Sequence, residues 1–404
     1  MKETHACRRA VRAALPALLL LGTLSCARSA ADPGVIRVGV ITSLSGQEAP
    51  FGDKHRKGYT LALEEINQKG VRGGKKIQLL YEDDISKPES AIAAIDRLAN
   101  HPGVVGVLGA YSSVCTYPMA KRANDYKVPL VSPTATTESL TKAGYDYVFR
   151  INSSTSVYAD SLIRMALDLS GGAVRTLAIL NEDTEFGKDT AESSKKVAAE
   201  NRLRVVLHEE YSKGEVDFKA ILSKIKAVRP DILIMVAYRT DAVKIANDIA
   251  HLGVTAQALM GAGAGFSVHD FIKGTGRNSE YYFNVNQWSL DSPYPGSQEY
   301  AQKYKERYRE TAQYHSIQAY SALKVMADAI DRAEVLDREH LRRALAATDR
   351  MTPFGPVRFE HFDGHRNQNR HGVIVEQVLD GRLTAVYPKE AARARPVYPY
   401  RPPE

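Results

Sequence analysis

The sequence predicts an α/β fold of two units, each a parallel sheet flanked by helices. Three observations carry that expectation. Short continuous apolar runs, of which Val35-Ile-Arg-Val-Gly-Val-Ile41 is the first, have the character of strands buried on both faces. They alternate with stretches whose apolar residues recur at helical spacing, an order that forces parallel strands and crossover helices. The alternation pauses near residue 150 and restarts, and 404 residues leave room for two domains of ordinary size.

In chain order, the first strand gives way to a loop of small and polar residues. A helix then runs to about residue 69, with Tyr59, Ala62, Leu63 and Ile66 on its buried face. A Gly-rich turn leads to a strand at 76–81 that ends in Glu82-Asp83-Asp84, a group placed to cap and be solvated. The helix at 89–100 turns Ile92, Ile95 and Leu98 inward. Strands follow at 104–108, 128–131 and 147–150. The second unit reads as helix 158–169, strand 176–180, helix 190–200, strand 204–211, helix 217–228, strand 232–236 and helix 241–252. A strand at 281–285, helices at 297–311, 316–333 and 338–347, and strands at 355–360 and 372–378 come next. Asp380-Gly381 is a hairpin signal before a strand at 383–387. The Pro-, Arg- and Tyr-rich tail, 391–404, is expected to be loosely ordered.

Apolar residues make up 44% and charged residues 25%, the balance of a soluble globular chain. Lys2, Arg8, Arg9 and Arg12 against Glu3 supply +3 of the formal +7, and no long Lys/Arg block remains, so nucleic-acid binding is not supported. Residues 1–25 read as an export signal: a basic start, then an apolar core too short to span a bilayer, which needs about 20 residues. Thr23-Leu24-Ser25-Cys26 resembles a bacterial lipoprotein box with Cys26 as the lipidated residue; cleavage after Ala31 is the alternative. Cys115 is then the one cysteine inside the fold, expected as a packed thiol with no disulfide and no nearby His.

The most informative stretch is Gly106-Val-Leu-Gly-Ala-Tyr-Ser-Ser-Val-Cys115 with Val128-Pro-Leu-Val-Ser-Pro-Thr-Ala-Thr-Thr137. Each apolar strand ends in small hydroxyl residues, so Ser112, Ser113, Thr134 and Thr136 fall at the carboxyl edge of two neighbouring strands. Open α/β sheets bind ligands at that edge, where helix N-termini offer free N–H groups. No acid, base or metal ligand is among them, which suits holding a molecule rather than reacting with it.

These residues carry a resemblance. Gly39-Val-Ile-Thr-Ser-Leu-Ser-Gly46 with Phe51-Gly52, Pro129-Leu-Val-Ser-Pro-Thr-Ala-Thr-Thr-Glu-Ser-Leu140, Phe149-Arg150, and Thr352-Pro-Phe-Gly-Pro-Val-Arg-Phe359 with Asp363-Gly364 resemble the leucine/isoleucine/valine-binding protein family. The resemblance spans about 35 to 390. It implies a two-lobe type I periplasmic binding protein fold with a three-crossover hinge near 150, 284 and 362. Lobe 1 would be 34–150 plus 284–362, and lobe 2 would be 151–283 plus 363–390. The implied role is a non-enzymatic, monomeric periplasmic receptor without cofactor or metal. It would hand a small molecule, an amino acid or organic acid, to an ABC permease of the inner membrane after hinge closure.

Residue by residue, the resemblance puts Phe51 against the ligand side chain and Ser113, with Ser112 beside it, on the ligand carboxylate. Thr134 would offer its carbonyl to an amine, and Thr136 its hydroxyl and N–H to the carboxylate. Phe186 and Tyr238 would close from the second lobe. Hydroxyls and N–H groups near a helix N-terminus stabilise a carboxylate without burying an arginine. The departure is at Met260-Gly-Ala-Gly-Ala-Gly265, where the family's amino-acid binders carry an acid and Gly263 is the match here. A buried ammonium without a counter-charge costs several kcal/mol. The expectation is therefore a carboxylate or amide ligand without an ammonium. Asp183, Asp241 or another carboxylate approaching differently keeps amino acids in play.

Bland readings stand beside these. Gly261 to Gly265 lacks the spacing of a dinucleotide fingerprint and is expected as a flexible strand-to-helix loop. His361, His365 and His371 lie in a polar connection rather than a metal site. A sensor of the same fold, acting on a partner protein instead of delivering cargo, is the alternative function. No Gly-x-Ser-x-Gly supports a hydrolase.

Overall fold

The computed structural model describes residues 34–215 and 217–403. Residues 1–25, expected as an export signal, and Cys26 lie outside the described residues. No helix among the described residues is long and apolar enough to cross a membrane.

The chain alternates from its first strand: β1 (Val35–Thr42), α1 (Ala49–Lys69), β2 (Lys76–Asp83), α2 (Pro88–Asn100), β3 (Val104–Gly109), α3 (Ser113–Asp125), β4 (Leu130–Ser132), α4 (Ser139–Lys142) and β5 (Val148–Arg150). The second run is α5 (Thr155–Leu169), β6 (Thr176–Glu182), α6 (Glu185–Glu200), β7 (Arg204–Tyr211), α7 (Lys219–Val228), β8 (Ile232–Val236), α8 (Arg239–Leu252), β9 (Ala258–Gly261), α9 (His269–Thr275) and β10 (Phe283–Asn286). Helices α10 (Ser297–Tyr308), α11 (Tyr314–Arg332) and α12 (Arg338–Ala346) precede β11 (Asp349–Thr352), β12 (Gly355–Phe362), β13 (His365–Asn369), β14 (Ile374–Leu379) and β15 (Arg382–Tyr387).

These strands form two sheets, in the orders β11-β12-β13-β5-β4-β3-β1-β2 and β15-β14-β10-β9-β8-β6-β7. Each has a parallel centre and antiparallel strands at one edge. Apolar strand runs explain the parallel centres: β8 is fully buried along Ile232–Val236, as a strand covered by helices on both faces must be.

Three crossings join the sheets, and two differ in place from expectation. The second follows Asn286, because β10 pairs with β9 and belongs to the second sheet. The third falls between Asn369 and Ile374 rather than near 362. Asp363 and Gly364 take φ of +48° and +81°, the geometry of a tight hairpin, and return the chain to the first sheet as β13. The stretch expected as a polar connection is thus a strand, parallel to β5 through Gln368 and Arg150. Its polarity is used: Asn369 Nδ2 donates to the carbonyls of Ile151 and Pro356 at 2.8 and 2.9 Å.

The Gly-rich stretch leaves the buried strand β9 at Gly261 and leads into a 3-10 turn at Ala264–Ser267. The tail differs from expectation. Tyr398 and Tyr400 pack on the second lobe's core, the Tyr400 N–H donates to the Gln257 carbonyl at 2.8 Å, and the Val397 N–H donates to Gln377 Oε1 at 2.8 Å. Tyrosine area and proline stiffness outweigh a composition that reads as disordered.

Helices α1 and α11 cross closely because Gly58 has no side chain; a Cβ there would lie 2.0 Å from the Ser316 carbonyl oxygen. Gly58→Ala should therefore destabilise by about 1–3 kcal/mol through overpacking, although alanine is the better helix former. Urea unfolding measures this, and an equal or higher midpoint would refute the close-contact account.

Candidate functional site

The carboxyl edge of the first sheet faces the second lobe across a small cavity of about 20 Å³, water-sized as the lobes stand. From the first lobe it is lined by Tyr111, Ser113, Thr134, Ala135, Thr136 and Tyr314; from the second by Tyr158, Phe186, Tyr238 and Ala264. Among the described residues no charged side chain is in this wall. Ser113, Thr134, Thr136, Phe186 and Tyr238 thus meet at one place.

Local folding explains why. Ser112 is the N-cap of α3, its hydroxyl accepting the Cys115 N–H at 3.3 Å, which leaves Ser113 at the helix start facing the cleft. The Ser113 hydroxyl accepts the N–H groups of Thr136 and Thr137 at 3.3 and 3.2 Å, so the two hydroxyl loops brace each other. The Thr134 carbonyl accepts from Asn152 Nδ2 at 2.7 Å, and its hydroxyl donates to Gln318 Oε1 at 3.0 Å. His55 Nε2 lies 2.8 Å from the same hydroxyl; burial pushes that imidazole down to about 3, so it stays neutral. Burial likewise pushes the Cys115 thiol up to about 12, and it is a packed, unreactive group.

Phe51, Ser112 and Gly263 stand one step behind the cavity. Phe51 stacks on Tyr111, ring centroids 4.4 Å apart and planes 10° apart, so Tyr111 presents the face that Phe51 supports. Gly263 is required by geometry: its φ is +74°, and a Cβ there would meet Tyr158 Cε2 at 2.7 Å. Ala264 lines the cavity instead. Tyr111, Tyr158 and Tyr314 are site residues the sequence reading missed. Tyr111 was within reach, adjoining Ser112 at the strand end; Tyr158 and Tyr314 sit in first helical turns with no local signal.

Neither Asp183 nor Asp241 lines the cavity. Asp183 accepts the Lys213 N–H at 3.0 Å, and Asp241 accepts the Gly214 N–H at 2.8 Å. Glu182 is closer, its Oε2 accepting the Tyr238 N–H at 3.0 Å, but it lies beneath the tyrosine; burial pushes its carboxyl up to about 7.

At the mouth the lobes are joined by charge. Lys213 of the second lobe is 2.6 Å from Glu48 Oε1 of the first, and its ammonium sits 4.1 Å from the Tyr238 ring centroid. Away from this cavity, two carboxylates are exchanged between the lobes. Glu138 Oε1 of the first lobe accepts the Ser156 N–H at the start of α5, at 2.9 Å. Asp189 of the second accepts the Glu138 N–H at 2.8 Å and the Thr137 hydroxyl. Burial alone would raise the Glu138 carboxyl; His365, Lys142 and Arg150 outweigh it and hold it well below the usual range. His365 therefore serves this carboxylate, and His371 Nε2 contacts the Gln287 carbonyl at 2.9 Å.

Comparison with known proteins agrees with this architecture. The periplasmic binding protein family model matches residues 35–382. Leu/Ile/Val-binding protein homolog 7 of Brucella suis biovar 1 (strain 1330) is 27% identical over 369 residues, 88% of this chain and 92% of that one. A leucine binding protein from Thermotoga maritima MSB8 superposes with a TM-score of 0.80 at 22% identity, over 87% of this chain and 97% of that one. A solute binding protein of an ABC transporter from R. palustris, solved with benzoate, gives 0.76 at 19% identity, over 90% and 100%. Fold, cleft and family match together place this chain in the periplasmic binding protein family, whose relatives here are solute-binding proteins rather than enzymes.

Proposed function

We propose that this protein is the extracytoplasmic receptor of an ABC importer. It captures a small carboxylate- or amide-bearing molecule between its lobes and presents the closed form to a permease as a monomer, free in the periplasm or anchored through Cys26. The observation that carries the ligand class is the cavity wall: hydroxyls and backbone amides at the carboxyl edge of β3 and β4, aromatic rings opposite, and no buried charge. Such a wall binds an anion by charge-assisted hydrogen bonds and buries an apolar body at about 25 cal/mol per Å². Relatives of the same fold support both branches, one solved with isoleucine and one with benzoate.

A thermal-shift panel of leucine, valine, benzoate and short aliphatic acids tests the class, since binding to the folded form raises the melting temperature. Native mass spectrometry would identify any ligand carried through purification. Acids lacking an α-amine should give the larger shifts; tight leucine or valine binding would overturn that preference.

Ser113→Ala should weaken the best carboxylate by about 10- to 100-fold in calorimetry, the worth of a hydrogen bond to a charged group. An unchanged Kd would remove Ser113 from the site. Lys213→Ala should raise Kd about fivefold, with faster release and weaker salt dependence, because a partly exposed pair is worth about 1 kcal/mol or less. Identical release rates in stopped flow would show that the mouth contact does not hold the lobes shut.

A further inference from the structure

Tyr314 lines two cavities, not one. Behind it, away from Ser113, lies a second interlobe compartment of about 110 Å³ against about 20 Å³ for the first. We propose that the ligand site extends past Tyr314 into this compartment, where Glu376 receives a cationic group. The preferred ligand is then a carboxylate carrying an ammonium, amidinium or guanidinium at its far end rather than on its α-carbon. This rests on the carboxylate reading of the Ser113 wall.

Glu376 lies on β14, is 4% exposed, and its carboxylate takes a 2.7 Å hydrogen bond from Asn286 Nδ2. Burial pushes its carboxyl up to about 7, the Asn286 bond opposing in part. Gln313 Oε1 on the same wall is buried without a partner. No Lys or Arg lines the compartment, and its His269 is pushed down by burial and is no standing counter-charge. Asp291 at the exposed rim faces Arg393, at 3.8 Å. The compartment therefore holds acceptors in excess of donors, the inverse of the Ser113 wall, and an ammonium with three donors matches it. Tyr314 is the wall the two spaces share, so the extended site requires its ring to turn aside, and the ring face suits a passing cation or alkyl chain. Because a tyrosine ring separates the two ends, an α-amino acid cannot reach both.

Calorimetry of the purified protein with pentanoate, 2-aminopentanoate, 5-aminopentanoate and pentylamine tests this. 5-Aminopentanoate should bind about tenfold or more tighter than either other acid, as a buried charge pair requires. Glu376→Gln should abolish that advantage and leave pentanoate unchanged, while Glu376→Asp, which keeps the charge, should retain part of it. The same preference in Glu376→Gln, or tightest binding of 2-aminopentanoate, would overturn the proposal. If pentanoate fails to bind or ignores Ser113→Ala, the carboxylate reading fails instead. Pentylamine then decides: binding that Glu376→Gln abolishes upholds the second compartment, and no binding overturns it.

Discussion

Arg150 is the constraint around which the two lobes are hung. It ends β5, is fully buried at the first crossing, and among the described residues no carboxylate touches it directly. Its guanidinium donates to Gln368 Oε1, the Thr137 carbonyl and Thr141 Oγ1, all neutral acceptors. Burial lowers it to about 10, so it remains charged at neutral pH. Removing one partner of a buried charge costs far more than the bond is worth in water, so each neighbour is held in place by the others. Gln368 Nε2 in turn donates to the Asn152 carbonyl at 2.7 Å, the Ser153 N–H donates to Gln287 Oε1 at 3.0 Å, and the Ser153 hydroxyl donates to the His371 carbonyl. All three crossings are thereby tied into one polar network. The two lobes meet at this braced seam.

The seam explains the chemistry of the cleft. With one cation already buried at its base, the carboxylates nearby are spent on the two halves of the hinge. Glu138 and Asp189 each satisfy backbone N–H groups of the opposite lobe, and no charge is left over for the wall around Ser113. A neutral wall of hydroxyls is what an anion needs to enter without displacing a resident ion pair.

Much of the architecture was legible in the sequence because buried parallel strands are written as apolar runs. What escaped was written in polar residues. The β13 segment, His365–Asn369, has no apolar period because its side chains bond to the hinge rather than to a core. The Asp363-Gly364 pair before it is the same hairpin signal that was legible at Asp380-Gly381. The hydroxyl half of the site was visible because Ser113, Thr134 and Thr136 follow strand ends in sequence. Tyr158 and Tyr314 were not, since each reaches the cavity only through the crossing that precedes it. The cavity wall is split across the two lobes, and the share supplied after a crossover carries no local mark.

The closing contacts also set how strongly a ligand must act. Glu48–Lys213 is partly exposed, and the N–H groups capped by Glu138 and Asp189 are ones that water can satisfy when the lobes part. Contacts of this kind exchange protein for water partners and net about 1 kcal/mol or less each. In the proposed receptor a handful of them would bias the lobes toward closure without fixing it. A ligand shifts that balance only by the difference in its affinity for the two forms. In the proposed hinge closure the hydroxyl wall would stay with the first lobe, so the differential would come from the second-lobe groups that line the cavity, Tyr158, Phe186 and Tyr238. In the proposed receptor, the first lobe would supply capture, and the aromatic face opposite would supply the signal that capture has occurred.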